Sequence, residues 1–185
     1  MSLGVPEVSL DVVYYAACSL DGYIATADGG VEWLEPFQGT GDDHGFADFY
    51  ATVDCLVMGS RTYEFALRHP PWMAPDKPSW VFTHRDLDLA DTSVTLTSQE
   101  PRKVIELIRA RGLNRVWLMG GGKLAASFRR QGLISCYMIA IIPTVLGDGL
   151  PLLACDTRQS ELRLTHANTY PSGIVQLCYE TMADA

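Results

Sequence analysis

The chain is short of positive charge. Its 14 lysines and arginines face 22 acidic residues, for a net charge of −8, and the basic residues are scattered instead of forming a stripe. General binding to nucleic-acid phosphates is therefore disfavoured. Long hydrophobic runs are also missing: the longest, Val12 to Cys18 and Tyr137 to Ile142, fall far short of the roughly 18 residues that a membrane helix requires. The expectation is a soluble protein. The 5 cysteines (Cys18, Cys55, Cys136, Cys155 and Cys178) are an odd number, contain no C-x-x-C pair and sit mostly inside apolar segments. They read as reduced core residues of a cytoplasmic protein. Met1 to Val5 has neither the charged start nor the apolar stretch of a signal peptide. His44, His69, His84 and His166 are isolated from one another, and no H-E-x-x-H or paired-cysteine spacing occurs, so no metal is assigned. A G-x-S-x-G elbow is absent, as is the H-x-E with P-C-x-x-C of zinc deaminases.

What is present is a globular composition, 48% apolar and 19% charged over 185 residues. That length corresponds to about one domain. A chain of this mass buries about 70% of its unfolded surface, so it needs no disulfide or metal staple. There is no internal repeat, low-complexity tract or interdomain linker.

Val8 to Cys18 is a β-branched and aromatic run suited to a strand buried on both faces, central in a sheet. Ser19-Leu20-Asp21-Gly22 and Asp28-Gly29-Gly30 break it, predicting a long, mobile loop. Asp42-Asp43 can cap a helix through about Thr52, with Phe46, Phe49, Tyr50 and Val53 at helical spacing. Cys55 to Met58 reads as a short buried strand, and Ser60 as the cap of a helix ended by His69-Pro70-Pro71. Further strands are predicted at Pro78 to Thr83, Ser93 to Thr97, Arg115 to Met119, Leu133 to Pro143, Glu161 to Ala167 and Ile174 to Thr181. Helices are predicted at Pro101 to Arg111 and Leu124 to Gln131, and Leu146 to Pro151 forms a tight loop. Strands alternating with short helices imply an α/β fold with a largely parallel sheet covered on both faces, and the helix-free ending adds an antiparallel hairpin.

Such sheets bind ligands at the carboxyl ends of their strands, where connections diverge. Gly120-Gly121-Gly122-Lys123 follows a strand and opens a helix, so backbone N–H groups can approach an anion at a favourable helix terminus. A diphosphate fits there, and so does a plain glycine turn needed for strand-to-helix packing. Neither G-x-G-x-x-G nor the P-loop frame applies. Gly59-Ser60-Arg61-Thr62 has the same layout, with hydroxyls and a guanidinium; its alternative is a capped helix with a solvated arginine. Thr83-His84-Arg85, at a third strand end, can read a ribose phosphate. Together these features point to a phosphorylated organic ligand.

Four blocks then carry a resemblance. They are Ala16-Ala17-Cys18-Ser19-Leu20-Asp21-Gly22-Tyr23-Ile24-Ala25, Met58 to Glu64, Gly120 to Lys123, and Pro143 to Leu152. In this order and spacing the chain resembles the dihydrofolate reductase-like superfamily over roughly Val8 to Thr181. It is most similar to the reductase domain of the bifunctional riboflavin-biosynthesis deaminase-reductase and its stand-alone relatives.

The resemblance implies a three-layer fold and an NADPH-dependent reductase of a pyrimidine- or pterin-like heterocycle, or of a ribosylamino-pyrimidine phosphate. Dihydrofolate reductase proper and a non-catalytic nucleotide-binding module are the alternatives. It places Ala17 and Ile24 against the nicotinamide, and Gly59, Ser60, Arg61 and Thr62 on the diphosphate. The partner turn is Gly120, Gly121, Gly122, Lys123 and Leu124, while Thr83, His84 and Arg85 lie near the adenosine 2′-phosphate. Many relatives carry Arg where this chain has Ser60, which shifts the 2′-phosphate to Arg61, Arg85 or Lys123. For a proton donor the resemblance offers Asp43, with a pKa raised in a semi-buried pocket, or Asp21; a helix cap and a turn residue are their plain alternatives. Ser19, Trp33 and Phe46 are substrate-pocket candidates, with core packing the alternative for the two aromatics. The loop from Asp21 to Gly30 is expected to act as a lid, and a homodimer is expected by analogy.

Overall fold

In the computed structural model, residues 10–37, 41–154 and 159–182 are described. Val8, at the start of the first predicted strand, and Cys155 lie outside them. The first strand, β1 (Asp11–Ser19), is central, as its unbroken apolar run requires: it pairs in parallel with β6 (Arg115–Gly120) on one side and β7 (Cys136–Ile142) on the other. Beyond β6 come β3 (Cys55–Gly59), β4 (Ser79–Phe82) and β5 (Val94–Thr97), all parallel. Beyond β7, β10 (Val175–Thr181) and β9 (Leu162–Thr169) are antiparallel. The eight-stranded order β5-β4-β3-β6-β1-β7-β10-β9 is a mostly parallel sheet with a C-terminal antiparallel pair.

Both faces are covered. Alternation along β1 sends Val12, Tyr14 and Cys18 to one face, where they pack with Val104, Ile105 and Ile108 of α3 (Pro101–Ala110) and with Ala125 and Phe128 of α4 (Gly122–Arg130). Val13 goes to the other face, with Phe49 of α1 (Phe46–Thr52) and Tyr63 of α2 (Ser60–Leu67). Each fully buried Val, Leu or Ile in these layers contributes about 1.5–3 kcal/mol over exposure.

Three local expectations are corrected. Ser60 is the first residue of α2 and not its cap: Gly59 holds the cap position, with no side-chain cap hydrogen bond. The helix expected from Leu124 starts at Gly122, because β6 ends at Gly120 and Gly121, with extended backbone, holds the cap position. The segment after β1 is built and tied rather than a free loop. It contains β2 (Tyr23–Ala25), paired with β8 (Leu150–Pro151), and a 3-10 helix over Glu32–Phe37. Its turn at 26–30 closes with Thr26 N donating to Gly30 O and Gly30 N to Thr26 Oγ1.

Candidate active site

β3 and β6 are neighbours, with Met58 opposite Gly120. From their carboxyl ends α2 leaves to the face of Val13 and α4 to the face of Val12. The crevice between two adjacent parallel strands whose connections part to opposite faces is where open α/β sheets bind ligands. Here both banks are glycine. A methyl placed on Gly59 would lie 3.9 Å from Gly120 O and from Gly121 N, and one on Gly121 would lie 3.8 Å from Thr62 Oγ1. The two turns thus face each other within van der Waals range, with room for a ligand's backbone contacts where other residues would carry side chains. Gly120, at φ 132°, has a backbone that only glycine adopts readily. Neither α2 nor α4 has a side-chain cap bond, so no capping side chain competes with an anion for the first amides of either helix.

Gly122 has a different duty. A methyl on it would overlap Pro151 O and come within 3.3 Å of Leu152 O, so the third glycine seats α4 on the β8 segment. The packing reading of the glycine run thus holds for Gly122, while Gly121 lies on the crevice.

Charge at the crevice comes from Arg61 and Lys123, exposed at the two helix starts and without an ion pair among the described residues. Arg85 behaves otherwise. Its Nη1 and Nη2 donate to Glu64 Oε1 and Oε2 at 3.0 and 2.8 Å, and the pairing holds the Glu64 carboxyl below its ordinary value. Thr83 Oγ1 accepts from Arg85 N at 2.9 Å, shaping the turn. His84 is exposed. Beside these residues opens a cleft of about 240 Å³, lined by Phe82, Thr83 and His84 after β4, Thr97 to Gln99 after β5, Glu100 and Pro101 at the start of α3, and Leu124 and Ser127 of α4. Thr97, Ser98, Gln99 and Ser127 were not expected from the sequence. The signal was present in the proline-started helix directly after a strand, but which strand end stands beside α4 depends on sheet order.

The acidic candidates are placed as structural groups. Asp43 is exposed and caps the start of α1: Oδ1 accepts from Gly45 N at 3.0 Å and Oδ2 from Ala47 N at 2.8 Å. The Ala47 and Gly45 bonds hold its carboxyl below the ordinary value, which corrects the expected rise. It is not a semi-buried acid, because the turn at Gly45 leaves it on the surface facing backbone donors. Asp21 is likewise lowered, chiefly by the Ser19 hydroxyl at 2.6 Å, and it also accepts from Gly147 N and Leu146 N. Both are acceptor-only carboxylates near neutral pH.

The substrate candidates divide. Ser19 is 1% exposed, donates to Asp21 and accepts from Tyr23 N at 3.0 Å, so it staples a turn. Phe46 joins the core aromatics, 6.3 Å from the Tyr15 ring and 5.6 Å from Trp117, because α1 docks this edge on the sheet. Trp33 packs with Ala17, Leu34, Phe37 and Tyr170 around Ala140, Ile142 and Ile174, and its buried Nε1 has no hydrogen-bond partner. Ala17 is therefore brought to an aromatic-lined corner at the carboxyl end of β1. Ile24 packs instead with the cluster on the other face, so the two nicotinamide candidates do not share a cluster.

Beside that corner the structure assembles a group that the sequence did not suggest. Tyr170 Oη donates to His44 O at 2.8 Å, His44 Nε2 lies 3.1 Å from Ser172 Oγ, and the two rings are 4.9 Å apart. His44 has φ 54°, uncommon for a side-chain-bearing residue, and these contacts hold the β9–β10 turn on the start of α1. The partners are far apart in sequence and carry no motif.

The model of the RibD C-terminal domain matches residues 11–176. An uncharacterized Bacillus subtilis (strain 168) protein, YwjB, is 36% identical over 168 residues, 90% of this chain and 95% of YwjB. A Shewanella sp. PV-4 protein provisionally assigned to riboflavin biosynthesis superposes with a TM-score of 0.85 at 25% identity, over 94% of this chain and 100% of that one. The Thermotoga maritima diaminohydroxyphosphoribosylaminopyrimidine deaminase/5-amino-6-(5-phosphoribosylamino)uracil reductase superposes with a TM-score of 0.69 at 13% identity, over 94% of this chain and 57% of that one, a likeness of fold.

Proposed function

This chain belongs to the RibD C-terminal domain family, and from that membership we propose that it is an NADPH-dependent reductase. Its proposed substrate is a pyrimidine- or pterin-like heterocycle, with a ribosylamino-pyrimidine phosphate as the leading class. The observation that carries the proposal is the crevice at which the glycine turns of β3 and β6 face each other, flanked by two open cations, with the 240 Å³ cleft lined by Leu124 and Ser127 of the same α4 that the second turn opens.

The residues fit a dinucleotide by their chemistry. Gly59 to Thr62 and Gly120 to Lys123 offer amides and small surfaces to a diphosphate, and Arg61 and Lys123 offer positive charge to it and to a 2′-phosphate. Thr83, His84 and Leu124 line the space for the adenosine. Ala17 offers a small apolar surface to a nicotinamide, and the corner of Trp33, Phe37 and Tyr170 offers aromatic faces to a heterocycle. The chemistry that NADPH supplies when bound is a hydride from C4 of its ring. The chain's share is positioning: reactants held about 3–3.5 Å apart in a water-poor corner react as one molecule. With Asp21 and Asp43 both tied as carboxylates, orientation and not a strong acid is the main contribution of these side chains.

We also propose a homodimer, supported by the edge strand β9, where Leu162 and Leu164 are exposed. The test is to offer dihydrofolate, riboflavin-type aminopyrimidine intermediates and simple pteridines and to follow absorbance at 340 nm. An aminopyrimidine should consume NADPH. Dihydrofolate consumption alone would favour dihydrofolate reductase activity. Thermal protection by NADPH with no consumption would leave a binding module, and no protection would refute the cofactor reading.

A further inference from the structure

Two segments more than a hundred residues apart are interlocked at the carboxyl end of the sheet. Leu20 N donates to Thr144 O at 2.8 Å and Leu152 N to Gly22 O at 2.9 Å. Between those bonds the Asp21 carboxylate takes Ser19 Oγ and Leu146 N on Oδ1, at 2.6 and 3.1 Å, and Gly147 N on Oδ2, at 2.7 Å. Among the described residues, the hydrogen-bond partners of this exposed side chain are all donors in one of the two segments. β2 then pairs with β8, Tyr23 opposite Pro151 and Ala25 opposite Leu150, and Gly149 is so close to Ala25 O that a methyl would overlap it.

The far end of the same segment bears on the glycine crevice. Pro151 O lies against the α-carbon of Gly122, one residue from Gly121, and Tyr14 Oη donates to Leu152 O at 2.7 Å from the centre of the sheet. A continuous path thus runs from Ser19 at the end of β1, through Asp21 and residues 146–152, to the start of α4. One of its ends stands two residues from Ala17, the other beside the diphosphate turn.

We propose that Asp21 is a positioning residue: its carboxylate locks the segment after β1 onto the 146–152 segment, fixing the spacing between the nicotinamide corner and the glycine crevice. The inference rests on the reductase reading. Its physical basis is that an ionised carboxylate is the one common side chain that can accept from three donors in a plane without offering a hydrogen of its own. An amide there would turn an N–H₂ toward at least one backbone N–H. A ligand spanning both ends depends on that spacing, whereas a ligand occupying one end does not.

The test compares NADPH with adenosine 2′,5′-bisphosphate by calorimetry on wild type, Asp21→Ala and Asp21→Asn. The expected result is about tenfold weaker NADPH binding for Asp21→Ala, a smaller loss for Asp21→Asn, and bisphosphate binding unchanged within about twofold. NADPH binding unchanged, or both ligands weakened alike, would overturn the proposal. Wild-type protein that binds neither ligand would defeat the reductase reading instead. The lock itself is then read by hydrogen exchange, where the Leu146 and Gly147 amides should lose protection in Asp21→Ala while those of β1 keep theirs; unchanged protection overturns it.

Discussion

Replacing Gly122 by alanine separates the two duties of the glycine run. The new methyl would overlap Pro151 O and crowd Leu152 O at 3.3 Å. Both are backbone atoms, so no side-chain rotation relieves the clash and β8 must move off α4. Its displacement strains or breaks Leu152 N to Gly22 O and Tyr14 Oη to Leu152 O, each worth about 1 kcal/mol, on top of about 1–3 kcal/mol for overpacking. A loss of roughly 3–5 kcal/mol lowers the melting temperature of a chain this size by roughly 6–20 °C. Gly121→Ala is the control. Its backbone is extended, at φ −83°, and its methyl meets nothing closer than Thr62 Oγ1 at 3.8 Å, so its stability should stay within about 1 kcal/mol of wild type, as expected where the native backbone suits alanine. Its methyl stands in the crevice, so NADPH affinity should fall. Calorimetric melting and ligand titration of both variants decide the matter. Gly122→Ala melting like wild type, or Gly121→Ala binding NADPH normally, would refute the assignment of the corresponding glycine.

Arg61→Ala and Lys123→Ala should each lower the preference for NADPH over NADH, measured as a ratio of affinities; Arg85→Ala should lower it less, because Glu64 already holds that guanidinium. A ratio moved only by Arg85→Ala would place the 2′-phosphate elsewhere. Asp43→Asn should weaken the start of α1 and lower the melting temperature, while turnover per folded molecule is unchanged; a turnover loss without destabilisation would restore Asp43 as a catalytic group. Asp21, Asp43 and Glu64 all have lowered pKa values, set mainly by the Ser19 hydroxyl, the Ala47 amide and Arg85 respectively. Depressed carboxylates stabilise the fold above their unfolded values of about 4 and lose that contribution as pH falls through the folded ones. Melting temperature should therefore decline on acidification below about pH 4.5, and less steeply in a variant carrying Asp21→Asn and Asp43→Asn together.

Much of the fold was legible because it rests on local signals. The apolar run around Val12 to Cys18 demanded a central strand. Pro101 and Gly112 bracketed α3, and the glycines at Gly59 and Gly120 marked two strand-to-helix turns. Where expectation failed, a local signal was outvoted by a distant partner. Ser60 is a good cap by type, yet Gly59 takes that position because the chain must turn next to Gly120. The segment after β1 looked loose because it is rich in Asp and Gly, yet β8 and the amides of Leu146 and Gly147 bind it down.

The same division runs through the site. Residue types alone determined that two turns free of side chains each open a helix, that basic residues stand beside them, and that an alternating α/β chain places them at strand ends, since backbone freedom and hydrophobic period are properties of short stretches. Only the tertiary structure decided that β3 and β6 are neighbours, that Gly122 serves packing while Gly121 faces the crevice, that Glu64 engages Arg85, and which donors the Asp21 and Asp43 carboxylates face. Each of these depends on which distant donor, carbonyl or charge is brought within a few ångströms, and sheet order sets that proximity.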